Sequence, residues 1–263
     1  MSWWQGFLIN LQFFTVIPVH REIPMEQAQL KRSVQSFPLL GFFQGILSSA
    51  LLYALIEWTP FSTLAVAFIL WLFLIVITGG IHLDGWIDAS DAFFSYQDIE
   101  KRLDIMKDPR TGAFGVLSVI VLLSARFLFL YEIAGQAEMI TYLLIAVIPF
   151  LSKSVMGLFL LTIQPAKQEG LAYFFQNKMQ RSSLWIYLVY IGLIVVATLF
   201  SSTVGSMLII LLCGVTVVVA WFMKRKIIRW FGGVTGDLLG ASVEGTEVLL
   251  WMIVWLLHYF VMG

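Results

Sequence analysis

Asp84, Asp88 and Asp91 follow one another at i, i+4 and i+7, directly after a long apolar run. On a helix turning ~100° per residue, Asp88 falls about 40° and Asp91 about 20° from Asp84, so all three project from one stripe. Three like charges this close repel unless a cation sits among them. Oxygen-only ligands favour Mg2+, Mn2+ or Ca2+ over zinc, and the stripe reads as a divalent-metal site at a membrane boundary. His82 stands about 200° from Asp84 on an unbroken helix. Gly79 and Gly80, just upstream, can break the helix and bring it back. His82 is therefore read two ways, as a general base or substrate contact and as a structural hydrogen-bonder.

A second acidic segment follows the Gly232-Gly233 pair. At an offset of 153, Gly79-Gly80 aligns with Gly232-Gly233, Asp84 with Asp237 and Asp91 with Glu244, while Asp88 meets Ala241. Asp237 and Glu244 again share a helix face. The echo between 79–91 and 232–244 reads as a weak internal repeat of the kind that builds sites where two membrane halves meet, or as independent use of glycine breaks. Five carboxylates in two segments need a metal or nearby cations to offset them. Lys107 and Arg110 flank an Asp-Pro break and are candidate phosphate contacts, or parts of an ordinary basic loop.

These residues need elements to hold them, and composition names the class. The chain has 263 residues, is 60% hydrophobic and 12% charged, with a mean hydropathy of +0.90. That is an integral membrane protein, read as one domain over 1–263 and an all-α polytopic helix bundle. A net charge of zero gives no basis for nucleic-acid binding. The single cysteine, Cys213, lies in an apolar run and reads as a small core residue. Seven spans are expected, within a range of six to eight: roughly 34–57, 61–80, 113–133, 139–163, 184–200, 205–223 and 245–262. Trp3, Trp4, Phe7, Phe13 and Phe14 suit an N-terminal amphipathic helix at the interface, and no cleaved signal is read there. Of 16 Lys and Arg residues, 14 fall in four connections, 20–32, 101–110, 167–181 and 224–229. Alternating spans put all four on one side, which the positive-inside rule makes cytoplasmic, with the N-terminus and the working surface there too. The remaining two, Arg126 and Lys153, sit inside spans and read as cations facing an anionic ligand or as a structural ion pair.

Taken together these segments resemble the cobalamin synthase family, the adenosylcobinamide-GDP ribazoletransferases. Thr78 to Asp91 is similar to the family's T-G-G-x-H-L-D-G-x-x-D-x-x-D run, and Ile105 to Gly112 to I-M-[KR]-D-x-R-x-G. Gln168 to Leu171 is similar to its E-G-L segment, and Gly232 to Ala241 to G-G-x-T-G-D-x-L-G-A. The segments Phe14 to Pro18 and Phe37 to Gly41 also fit. Two positions depart from the pattern: Ala92 stands where Gly is expected, and Lys153 where Arg is frequent.

The resemblance implies an enzyme of the cytoplasmic membrane in the nucleotide-loop step of vitamin B12 synthesis. It would join adenosylcobinamide-GDP to α-ribazole or its 5′-phosphate and release GMP. It implies Mg2+, with Mn2+ as a substitute, bound by Asp84, Asp88 and Asp91 and completed by Asp237 or Glu244. The base would be Asp91 or His82. Lys107, Asp108, Arg110, Arg126, Lys153 and Thr235 would contact substrate. The corrinoid nucleotide, α-ribazole and membrane lipid are the partners; self-association and assembly with other cobalamin-assembly enzymes stay open. Two rival classes remain. A CDP-alcohol phosphotransferase needs an Ala-Arg pair and a spacing that Asp84 to Asp91 lack. A cation-coupled transporter fits the broken helices, but not carboxylates at span ends beside basic loops.

Overall fold

A computed structural model describes residues 3–176, 181–200 and 202–262; Lys178, in the third basic connection, lies outside them. Helices α1 (Trp3–Phe14), α2 (Gln27–Gln35), α3 (Phe37–Trp58) and α4 (Thr63–Thr78) lead to α5 (Ile81–Phe94), which carries the aspartate stripe. Then come α6 (Ile99–Ile105), α7 (Ala113–Gly135), α8 (Met139–Thr162), α9 (Gly170–Gln176), α10 (Trp185–Leu199), α11 (Thr203–Phe231) and α12 (Gly236–Leu257). The expected all-α membrane bundle is what forms.

The number of crossings differs from seven in detail. By length and composition, α3, α7, α8, α11 and α12 with its extension to Met262 can each cross a membrane. Helices α4 and α5 pass the same test only as a pair bent by 86°. The bend has a local cause: Gly79 and Gly80 both take left-handed φ, +62° and +76°, a conformation that disfavours any residue with a Cβ. Helix α10 has 15 residues, a rise of about 22 Å against a hydrocarbon core of ~30 Å. The last span starts earlier than its apolar pattern suggests. Thr235 caps Leu238 N at 3.2 Å, so the acidic residues lie within α12 rather than ahead of it.

Helix α8 is the most enclosed, with 83% of its apolar window buried. It meets α3 at very short range. A Cβ on Gly41 would come within 2.1 Å of the Pro149 carbonyl, and one on Gly45 within 2.2 Å of the Ala146 carbonyl. This small-xxx-small spacing lets two backbones touch where there is no hydrophobic drive between helices. Helix α1 lies less on the surface than an interfacial helix would. Trp3 and Trp4 face outward, but Leu8, Ile9 and Leu11 are buried, and Asn10 Nδ2 donates to Ser33 O at 2.8 Å.

One end of the bundle collects the polar connections. Backbone hydrogen bonds tie Val234 to Gln164 and Ala166, joining the α8 and α11 exits to the α12 entry. Val16 N donates to Ile77 O, which brings the α1 exit to the foot of α4. The α7 entry joins them through Asp91, whose Oδ2 accepts from Gly112 N at 2.7 Å.

Candidate active site

The two acidic segments meet backbone to backbone. A Cβ on Gly85 would stand 2.5 Å from the Asp237 carbonyl oxygen, and one on Gly240 would lie 3.3 Å from the His82 backbone. Small residues at this crossing of α5 and α12 bring Asp84, Asp88 and Asp237 close enough for their charges to act on one another. Asp84 is exposed and the other two half-buried. Among the described residues none of the three has a cation at ion-pair distance. Thr235 Oγ1 donates to Asp237 Oδ2 at 3.5 Å.

A cavity of about 450 Å3 adjoins this acidic face, and Asp237 and Thr235 form part of its wall. Lys107, Lys167 and Glu169 supply its charged side. Lys107 is paired with Glu169, and Lys167 Nζ lies 3.7 Å from Asp104 Oδ1. The hydrogen bond to Glu169 pushes the Lys107 amine up and holds the Glu169 carboxyl down, so both stay charged near neutral pH. Basic side chains beside the N-terminus of α12 suit phosphate oxygens, since helix N–H groups and ammonium donors point the same way.

Other expected residues have different duties. Asp91 uses both oxygens on the first turn of α7: Oδ2 accepts from Gly112 N at 2.7 Å and Oδ1 from Gly115 N at 2.8 Å. It caps α7 and locks it to α5, a positioning role, and its charge still acts on Asp88. His82 is 2% exposed and stacks on Phe14 with ring centroids 5.8 Å apart. Its place on the helix turns it inward from the stripe, and Nε2 finds no hydrogen-bond partner among the described residues. Asp108 and Arg110 bind each other, with Arg110 Nε 2.9 Å and Nη2 2.6 Å from the Asp108 carboxylate. These bonds hold the Asp108 carboxyl down at about 2, and the Arg110 side chain is 87% exposed. Neither lines the cavity.

Glu244, Arg126 and Lys153 leave the surface altogether. Arg126 Nη2 stands 2.5 Å from Glu244 Oε2 and 3.9 Å from Glu247 Oε2; Lys153 Nζ stands 3.9 Å from Glu247 Oε1. Ser152 Oγ donates to Glu247 at 2.8 Å. The four charges sum to zero and are nearly inaccessible, so this is an ion-pair lattice joining α7, α8 and α12. Arg126 and Lys153 face carboxylates of the protein rather than a substrate phosphate, and Glu244 is tied away from the aspartates. Glu247 had no assigned role in the sequence; its signal is the i, i+3 spacing from Glu244, which puts both on one helix face. Lys167 and Glu169 carry only a topological and a motif signal in the sequence, and nothing in their local pattern places them on one cavity with Asp237.

The expected Mg2+ fits this donor set. Asp84, Asp88 and Asp237 are oxygen donors with no cation at ion-pair distance, and Asp237 lines a cavity that also holds Lys107 and Lys167. Among the described residues no three such side chains close into a cage. Mg2+ tolerates that, since it keeps several waters and binds through one or two carboxylates plus substrate phosphates.

A polytopic all-helical membrane protein with a carboxylate face beside a cavity lined by Lys107, Lys167 and Glu169 is the class that fold and site define. The cobalamin-5-phosphate synthase family model matches residues 6–255, and the chain belongs to that family. It is 41% identical to the adenosylcobinamide-GDP ribazoletransferase of Geobacillus sp. (strain WCH70), over 98% of each chain. The enzyme of the same name from Clostridioides difficile (strain 630) is 33% identical over 96% of this chain and 98% of its own. That of Treponema denticola is 32% identical over 93% and 95%. No solved structure matches the chain.

Proposed function

We infer that this chain catalyses the transfer for which its relatives are named. A hydroxyl oxygen of α-ribazole, or of its 5′-phosphate, attacks the corrinoid-side phosphorus of adenosylcobinamide-GDP. The P–O bond to GMP breaks, GMP departs with the bridging oxygen, and the hydroxyl proton leaves. The product is adenosylcobalamin or its 5′-phosphate. The observation that carries this reading is the placement of unpaired Asp84, Asp88 and Asp237 beside a cavity bearing Lys107 and Lys167, in a chain matched by the family almost end to end.

Mg2+, or Mn2+ in its place, would be held by Asp84, Asp88 and Asp237 and would neutralise the pyrophosphate. Lys107 and Lys167 bind and orient the phosphate oxygens as the leaving group gains charge. A carboxylate of the aspartate face that is not bound to metal accepts the proton. The basic connections support a site and an N-terminus on the cytoplasmic side of the cytoplasmic membrane. The chain acts as a single membrane unit, because the two segments that build the site, on α5 and α12, lie about 150 residues apart in the sequence.

The test is GMP release from purified protein in nanodiscs given adenosylcobinamide-GDP, α-ribazole and Mg2+, with EDTA as control. Release with a new cobalamin product, abolished by EDTA, is the expected result. Folded protein that releases no GMP would overturn the reading, and a transporter would give that outcome.

A further inference from the structure

A cleft of about 820 Å3 takes no part in this chemistry. It lies between α7 and α11, with α5 and α12 as its floor, and its lining is almost wholly apolar. On α11 it is lined by Phe222, Lys226 and Trp230, spaced i, i+4 and i+8, so one helical face carries a single cation between two aromatic rings. On α7 it is lined by Val121, which is 60% exposed. The cleft therefore opens sideways, at the depth of the bilayer, where a gap between helices fills with hydrocarbon chains.

The depth of Lys226 follows from the helix. The stretch from Thr203 to Phe222 rises about 30 Å, the thickness of the hydrocarbon core, so Lys226 stands one turn beyond it at headgroup level. Its Nζ lies 3.9 Å from the centroid of Trp230, and Arg225 lies 3.8 Å from that of Trp221, an aromatic belt with cations on it. Lys226 lines the cleft, Arg225 and Arg229 lie within a turn of it, and Lys224 Nζ donates to Thr162 O at 3.5 Å; among the described residues none of the four has a carboxylate partner at ion-pair distance. An ammonium lying on a ring still has N–H donors for a phosphate.

We propose that the cleft between α7 and α11 seats one phospholipid with an anionic headgroup, its acyl chain against Val121 and Phe222 and its phosphate at Lys226. The apolar lining suits an acyl chain and leaves the many amides of a corrinoid without partners. The unneutralised cations select negative headgroups over zwitterionic ones.

Native mass spectrometry of the purified chain, with phosphatidylglycerol or phosphatidylcholine added, tests this. Phosphatidylglycerol should be retained more strongly. Lys226→Gln should weaken its retention roughly fivefold, the ~1 kcal/mol that one lysine gives at an anionic surface. Val121→Trp should fill the cleft and lower retention of both lipids. If Val121→Trp does not fold, Lys226→Gln, which removes an exposed charge and its contact with the Trp230 ring, carries the test by itself. Equal retention of the two lipids, or retention untouched by Lys226→Gln, would overturn the proposal. So would a second copy of the chain recovered at the cleft by crosslinking through Val121→Cys.

Discussion

At the scale of single residues, four carboxylates on or near one stripe have separate duties. Asp84 and Asp88 face outward with Asp237, while Asp91 is held by two backbone N–H groups at 2.7 and 2.8 Å. Asp84→Asn should lower GMP release by about 100-fold or more, the range of groups acting at the reacting centre, with membrane insertion and thermal stability kept. Asp91→Ala should instead act on the fold. Loss of a carboxylate cap costs about 1–2 kcal/mol, read as a lower midpoint of thermal unfolding in detergent; a wild-type midpoint would refute the capping role. Asp108 supplies a pH test. Arg110 holds its carboxyl at about 2, below the ordinary value of about 3.9. The folded state then binds fewer protons, so the stabilisation is present above pH ~4 and is lost as pH falls towards 2. Arg110→Ala should raise the carboxyl titration, followed by NMR, only part of the way to the ordinary range, because the backbone N–H of residue 110 still donates to Asp108.

At the scale of elements, glycines decide what the apolar pattern leaves open. The 34–57 and 139–163 runs announce two spans, and α3 and α8 fill them. Their backbone contact at Gly41 and Gly45 is a property of the pair. Gly45→Val should destabilise the bundle by about 1–3 kcal/mol through overpacking, measured by thermal unfolding, and should be milder if α3 can slide away from α8. The right-angle turn at Gly79 and Gly80 is legible as a helix break, but its 86° angle is not. Gly80→Ala should lose about 1 kcal/mol for the left-handed conformation and reduce activity further by moving α5 off α12. The fifth expected span was legible as apolar, yet α10, from Trp185 to Leu199, is short for a crossing.

At the scale of the whole molecule, the buried lattice of Arg126, Lys153, Glu244 and Glu247 connects three helices. Removing one partner leaves an uncompensated charge in a dry interior, which costs about 3–5 kcal/mol. Arg126→Met should therefore impair folding far more than the double substitution Arg126→Met with Glu244→Met, measured by yield of monodisperse protein and thermal midpoint. Equal losses in the two would show that the pair is not the unit.

What the sequence determined by itself was the class, the apolar runs, the helix breaks and the aspartate stripe, because hydropathy and helical periodicity act along the chain. The family motifs were likewise written in it. What only the tertiary structure decided was which polar groups meet. At an offset of 153, Asp84 and Asp237 converge where Gly85 and Gly240 let α5 touch α12, whereas Asp91 turns to α7 and Glu244 to Arg126. Periodicity places a side chain on a face of its own helix. Which helix that face meets depends on contacts between residues more than a hundred positions apart, and no local spacing records them.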